Sequence, residues 1–429
     1  QQLGSGNSPT ARPWRPPGFS APRQVPGRLL SHKRDGLFRG HPSDYDDWAA
    51  LGNEGWAYQD VLPYFRLSEH NERFNDEYHG QNGPLWVSDL RTDSPFHHYI
   101  ADAAREAGLP VTADFNGAEQ EGVGVFQVTQ KDGERWSAAR AYLLPHLQRP
   151  NLKVATLALA QRILFEDGRA VGVEYRQGER QRIVRARKEV ILASGAFKTP
   201  QLLMLSGVGE REELVQHGIP LAHHLPKLGK NLRDHPDFVF GMTTQNPDTF
   251  SFTASGFNRL GRESWRYYRQ RRGALTSNFA EAGAFLKSRP QLDRPDLQLH
   301  LVTGLVDDHG SVRLQSADPQ EPPLIDPAFL HDPQDVEDLV AGYKLTQRLL
   351  DAPSLKQQIL KYVFPLNINN DDDIRRILRQ RVDTVYHPVG TCRMGIDDQA
   401  VVDLVRGQSR IPSQLTDVEA NQTQHYGTN

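Results

Sequence analysis

The sequence predicts an α+β fold with a mostly strand-built middle, and three observations carry that reading. Two-residue alternation over Leu152–Leu159, Arg162–Glu166 and Ala170–Tyr175 gives hairpin strands, with Glu166-Asp-Gly-Arg169 as the turn between the last two. Helical spacing over His97–Gly108 and Asp332–Leu350 gives amphipathic helices. Residues 189–209 read as strand, glycine turn, helix.

The elements follow in order. Residues 1–38 are rich in Pro and Arg and have neither helix nor strand periodicity, so a disordered leader is expected there. Order is expected from Arg39. Asp44–Trp56 reads as a short helix closed by a Gly/Asn turn, and Tyr58–Phe65 as another. His97–Gly108 stops at Gly108-Leu-Pro110. After the hairpin, Arg182–Arg187 continues the strand pattern, and Glu189–Ala193 is an apolar run short enough for a buried strand. Thr199 is placed as the N-cap of the next helix, with Pro200 at its first position and Gly207 as its left-handed stop. From Asp237 to Ile325, strand candidates alternate with polar loops and include Gly283–Leu286 and Asp296–Val302.

The 429 residues allow two or three domains, and 38% hydrophobic residues suit a globular chain. A net charge of −3 gives no reason to expect nucleic acid or an anionic membrane as partner. The single cysteine, Cys392, excludes a disulfide framework and a cysteine-based zinc site. No run of about 18 apolar residues spans a membrane. The N-terminus has no apolar signal region. A cytoplasmic location is expected, with peripheral membrane attachment left open.

A dinucleotide site of the Rossmann type needs a strand, G-x-G-x-x-G and a helix, so that backbone N–H groups reach the pyrophosphate. Gly4-Ser-Gly-Asn-Ser-Pro9 lacks the third glycine and a preceding strand, and Gly207-Val-Gly209 follows a helix. Neither qualifies. No G-x-S-x-G elbow exists, which disfavours a hydrolase.

The positive signal is Gly195-Ala-Phe-Lys-Thr-Pro-Gln-Leu-Leu-Met-Leu-Ser-Gly-Val-Gly209. Its fifteen ordered positions resemble the second signature of the glucose–methanol–choline (GMC) oxidoreductases. The resemblance continues in Arg39–Asn53, in Gly133–Leu143, in Leu228-Gly-Lys-Asn-Leu-Arg-Asp-His-Pro236 and in Thr384-Val-Tyr-His-Pro-Val-Gly-Thr-Cys-Arg-Met-Gly395. It covers most of residues 39–403. It implies an α/β FAD-binding domain, incomplete here, plus an antiparallel-sheet substrate domain packed with helices. It also implies oxidation of a primary alcohol, aliphatic or choline-like, with FAD as cofactor and an unidentified electron acceptor. His387 matches the family's active-site histidine, whose imidazole handles the hydroxyl proton. Tyr386 would lie beside the flavin, Gly195 returns toward it, and Ala160 matches a backbone contact to the adenine side. His235 either faces the flavin or is a hydrogen-bonded turn residue. Cys392 has no implied nucleophilic role, and Asp397-Asp398 reads as a solvated turn.

Three departures from the family pattern stand out. Residues 1–38 replace the glycine loop and first signature. With suitable codons, His32–Phe38 read in a shifted frame becomes Ile-Asn-Gly-Met-Val-Tyr, the string the family carries before its arginine–glycine. Asp308-His-Gly310 runs straight into Ser311-Val-Arg-Leu314, without a strand-forming stretch found in relatives. After Val401-Val-Asp403 the pattern is expected to stop, and the polar tail Leu404–Asn429 supplies no second active-site residue; Asn421 and His425 carry no assignment. The expected division is therefore 1–38 leader, 39–235 remainder of the FAD domain with lid segments, 236–385 substrate domain, 386–403 return to the FAD domain, and 404–429 tail. FAD binding is expected to be poor, because the pyrophosphate would lack its glycine loop. A dead fragment and a flavin-containing lyase of the same family stay open as alternatives.

Overall fold

A computed structural model describes residues 36–246, 248–249, 254–302, 316–321, 323–326, 328–363, 370–385, 387–402 and 415–417. The 1–35 part of the expected leader, Tyr386 and the Asp308–Ser311 junction lie outside them. Residues 36–38, placed in the expected leader, are structured. Gly36 pairs with Val128, the Leu37 N–H donates to the Gln127 carbonyl at 3.0 Å, and Phe38 meets Phe126 edge to face at 4.5 Å.

Arg39 is buried and its charge is matched. Its guanidinium pairs with Glu69 at 2.7 Å and donates to the Tyr78 carbonyl at 2.6 Å. Helix α1 (Pro42–Ala50) follows, with His41 as N-cap and a reciprocal bond from the His41 N–H to the Asp44 carboxylate at 2.8 Å. Burial holds the Asp44 carboxyl at about 6, against the opposing pull of Arg294. Helix α2 (Tyr58–Ser68) runs along the surface. Helix α3 (Phe96–Glu106) buries Phe96, Ile100, Ala103 and Ala104, and Gly108 ends it at φ 65°.

Strand β1 (Gly122–Val125) starts the central sheet. The hairpin strands β2 (Ala158–Glu166) and β3 (Arg169–Gln177) follow, and β4 (Arg180–Arg185) adds antiparallel to β3. Asp167 and Gly168 close the hairpin at φ 49° and 72°, the left-handed pair that an Asp-Gly turn supplies. The expected strand over 152–157 is coil; only its last residues join β2. Strand β5 (Val190–Leu192) is buried on one side only, since Ile191 is exposed.

Helix α4 (Gly195–Leu205) begins four residues before the expected cap. Pro200 sits inside it rather than at its start. Thr199 is no N-cap; its hydroxyl accepts from the Ser194 N–H at 3.2 Å. Gly207 takes the expected left-handed stop at φ 86°.

The middle of the chain is less strand-rich than expected. Helix α5 (Ala254–Gln270) occupies a stretch read as strands and loops. The central antiparallel sheet then forms in the order β8 (Leu297–Val302), β7 (Ala280–Leu286), β1. Every residue of β7 is buried. A Cβ at Gly283 would lie 1.9 Å from the Leu299 carbonyl oxygen and 2.5 Å from the Phe126 ring, so only glycine permits this pairing. Helix α6 (Pro333–Asp351) matches the expected amphipathic helix, with Asp332 as its N-cap rather than its first residue, and α7 (Asp371–Arg381), not foreseen, is capped by Asn370. The tail contributes a strand after all: β10 (Leu415–Asp417) pairs parallel with β5.

Two large apolar cores and two small clusters result among the described residues. One packs α4 with Trp48, Ile163, Leu228, Met394, Val401 and Val402. The other packs α3 with β1, β7 and the end of α6. The first core thus gathers segments from five separate parts of the chain.

Candidate active site

The Asn231–Pro236 turn and the Thr384–Gly390 segment run antiparallel. The two-residue strands β6 (Pro236–Asp237) and β9 (Asp383–Thr384) pair Pro236 with Thr384. Arg233 and Val389 exchange backbone bonds of 2.8 and 2.7 Å, and the Val385 N–H donates to the His235 carbonyl at 3.3 Å. Asn231 takes φ 59° to make the turn. A Cβ at Gly390, φ 88°, would lie 2.3 Å from the Asn231 carbonyl oxygen, which explains a glycine at that position.

This pairing brings the two predicted histidines together. The His235 and His387 rings lie 6.5 Å apart and nearly perpendicular, at 84°. Asp234 organises them. Its carboxylate accepts from the His235 N–H at 2.9 Å, from the His387 N–H at 3.2 Å and from the Thr384 hydroxyl. Burial raises the Asp234 pKa, while these hydrogen bonds pull it down. Burial lowers His235 to about 4, with further contributions from the nearby His387 and His300. His387 is exposed to solvent, with its backbone pinned by Asp234.

Thr391 ties this pair to the glycine–helix motif. Its hydroxyl donates to the Ala196 carbonyl at 2.7 Å, and its carbonyl accepts from the Gly229 N–H at 3.0 Å. Gly195, at φ 88°, therefore opens α4 one residue from a bond to the His387 segment. Ala160 joins the same assembly at the other end of α4. It pairs with Tyr175 on β3, and the Ile163 N–H of its strand donates to Ser206 Oγ at 2.8 Å.

Asp234 and Thr391 were not singled out from the sequence, although both lie inside the quoted motifs. Also missed was the buried pair of Glu281 and His97, whose Nε2 lies 2.9 Å from the carboxylate. A carboxylate inside the apolar run Ala280-Glu-Ala-Gly-Ala-Phe-Leu286 was its only sequence signal. Cys392 is packed in the core, and Asp397 pairs with Arg393 at 2.6 Å. Among the described residues no group of three His, Cys, Asp or Glu side chains could hold a metal.

The comparisons with known proteins give the family. Family models described as GMC oxidoreductase match residues 36–237 and 306–412. The chain belongs to the GMC oxidoreductase family. The family match therefore runs nine residues past the expected stop at Asp403. A relative from Pseudomonas putida, an alcohol dehydrogenase [acceptor], is 44% identical, with 85% of this chain and 71% of that one covered. A human mitochondrial choline dehydrogenase is 38% identical, with 85% and 66% covered; the chain spans just under two thirds of its length. A solved pyridoxine 4-oxidase from Mesorbium loti superposes with a TM-score of 0.76 at 25% identity, covering 90% of this chain and 76% of that one. An FAD-dependent oxidoreductase from Chaetomium thermophilum gives a TM-score of 0.83 at 24% identity, covering 93% and 82%, and shows the GMC fold. The protein is thus an α+β GMC oxidoreductase resembling alcohol and choline dehydrogenases. No described helix is long and apolar enough to cross a membrane.

The family implies FAD, and the residues present can be tested against it. Next to Ala160, the buried Gln161 Oε1 has no hydrogen-bond partner, so it suits an amino donor such as that of adenine. Gly195 opens a helix whose N-terminus attracts negative charge. The two histidines stand on the segment this helix start is bonded to. These residues fit the cofactor at its adenine and reacting ends. Among the described residues no glycine-rich loop cradles the pyrophosphate.

Proposed function

We propose that the chain is built for FAD-dependent oxidation of a primary alcohol, with His387 taking the hydroxyl proton. The observation that carries this is the His235–His387 pair held by Asp234. Ala160, Gly195 and Tyr386 would hold the cofactor, which when bound supplies a hydride acceptor for the carbinol carbon. The rest of the chemistry belongs to side chains. An imidazole nitrogen of His387 accepts the proton as the substrate O–H bond breaks. Its neighbour His235, held at about 4, stays neutral at physiological pH. A proton arriving on His387 therefore meets no second positive ring, and the pair takes up one proton rather than two. Asp234 positions the His387 backbone, and its charge favours the imidazolium that forms.

The proposed division of labour follows the sequence: 39–235 and 386–403 for the cofactor domain, 236–385 for the substrate domain, with 1–38 as leader and 404–429 as tail, although the family match reaches into both, at 36–38 and 404–412. This 429-residue chain is proposed to retain FAD weakly, since among its described residues no glycine loop offsets the pyrophosphate charge. The visible spectrum of the purified chain tests it: little oxidised-flavin absorbance is expected without added FAD, and a stoichiometric flavin band would contradict weak retention. If added FAD is bound, alcohol without oxygen should bleach it. Turnover without bleaching would favour the lyase reading.

A cytoplasmic location with peripheral membrane attachment is proposed, and α5 supports the attachment. Trp265 and Tyr268 are 64% and 75% exposed on one face. Arg262 and Arg269 flank them on the helix, while Arg271 and Arg272 just beyond it are paired with Glu134 and Asp93. Aromatic rings beside arginines suit an anionic lipid surface, a local feature that the net charge of −3 conceals.

A further inference from the structure

Every residue of β4 (Arg180–Arg185) is exposed. The strand pairs with β3 in register throughout, from Gln177–Arg180 to Gly172–Arg185. It ends its sheet: among the described residues no strand lies along its outer side. An edge of this kind presents a row of backbone N–H and C=O groups, and proteins commonly blunt it with a proline or a bulge. β4 has neither. It carries two β-branched residues at its centre instead, Ile183 at 59% exposure and Val184 at 53%. The edge is therefore straight, apolar in the middle and competent to take another strand.

Charge decides which strand fits. Arg180, Arg182, Arg185, Arg187 and Lys188 stand in a stretch of nine residues that holds no acidic side chain. Among the described residues only Arg185 of these has an ion-pair partner, Glu166. A second copy of β4 laid antiparallel would set arginine against arginine, which is destabilising across a ladder. The arginines thus oppose self-pairing and favour a strand of opposite charge. Side chains alternate between faces, so Arg180, Arg182 and Val184 share one face, and Gln181, Ile183 and Arg185 the other. The complementary strand has carboxylates opposite the arginines and apolar residues opposite Ile183 and Val184.

We propose that β4 is a docking edge for an extended acidic segment of a partner protein, which adds to the three-stranded sheet as a fourth, antiparallel strand. Main-chain hydrogen bonds supply affinity in this mode, and the side chains supply selectivity. A polyanion such as a nucleic acid would use the cations alone and leave the backbone edge, Ile183 and Val184 unused. The inference does not rest on the alcohol-oxidation reading.

The test uses the full chain and a capped, fluorescent peptide, Glu-Val-Val-Glu-Thr-Glu, which sets a carboxylate opposite Arg185, Arg182 and Arg180 when it lies antiparallel. Fluorescence anisotropy should show saturable binding at low salt that weakens as salt is raised. Arg180→Glu with Arg182→Glu should reduce affinity about tenfold or more at an unchanged melting temperature, since both side chains are exposed. Two N-methylated peptides separate strand addition from plain charge attraction, each blocking one alternate set of amides. The set that faces β4 should abolish binding, and the other should leave it intact. Absence of saturable binding, equal behaviour of the two N-methylated peptides, or an affinity for oligothymidylate as high as for the peptide would overturn the proposal.

Discussion

The Thr391 hydroxyl donates to the Ala196 carbonyl at 2.7 Å, at the point where Pro200 deprives that carbonyl of its helical partner. Proline has no N–H, so the residue four positions earlier needs another donor. Thr391 supplies it from the segment that carries His387. One hydroxyl thus allows α4 to start at Gly195 and fixes the histidine segment against it.

Replacing Thr391 should therefore disturb stability and chemistry together. Thr391→Val keeps the shape and removes the donor. It should cost about 1–3 kcal/mol in urea denaturation, since a largely buried carbonyl is left unpaired. Thr391→Ser should recover most of the loss. A T391V chain as stable as the parent would show that water satisfies Ala196.

The lowered pKa of His235 gives a stability prediction with a definite sign. The folded state favours neutral imidazole, so this contribution is fully present above the unfolded value of 6.5. As pH falls from 6.5 toward about 4, the unfolded chain takes up the proton first, and stability declines. The full difference is roughly 3 kcal/mol for a shift of this size. His235→Asn should flatten this part of the stability–pH curve, read from urea melts at pH 7.5, 5.5 and ~4.5 against the parent. Parallel curves for the two proteins would refute the assignment.

These relationships also show what was legible in the sequence. The Asp167-Gly168 turn and the Gly207 stop are local, and each was readable from neighbouring residues. The start of α4 was not. Thr199-Pro200 carries the local signal of a helix entry, but a donor 195 residues away lets the helix begin earlier. Helix α5 was passed over although its polar and apolar residues segregate at helical spacing, because Gly256, Gly261 and its many arginines read as polar loop. The motif residues that meet at the site were recognised as strings, yet their pairing through Asp234, and the Glu281–His97 contact 184 residues apart in sequence, exist only in the fold.

The exposed ring pair on α5 predicts an ionic-strength-dependent association. Vesicles containing an anionic lipid should co-sediment the chain, while zwitterionic vesicles should not. Trp265→Ala with Tyr268→Ala should reduce binding about tenfold or more, and raised salt should weaken it through the arginines. Equal sedimentation of parent and double variant would exclude this face as the contact.

The central claim is that His387 takes the substrate proton. The most direct measurement is the rate of anaerobic flavin bleaching by a primary alcohol across pH, with added FAD, in the parent and in His387→Asn. The parent rate should fall on the acid side, where His387 is already protonated, and the variant should be slower by roughly 10²–10⁴ and lose that acid limb. A variant that bleaches at the parental rate with the same pH profile would contradict the account.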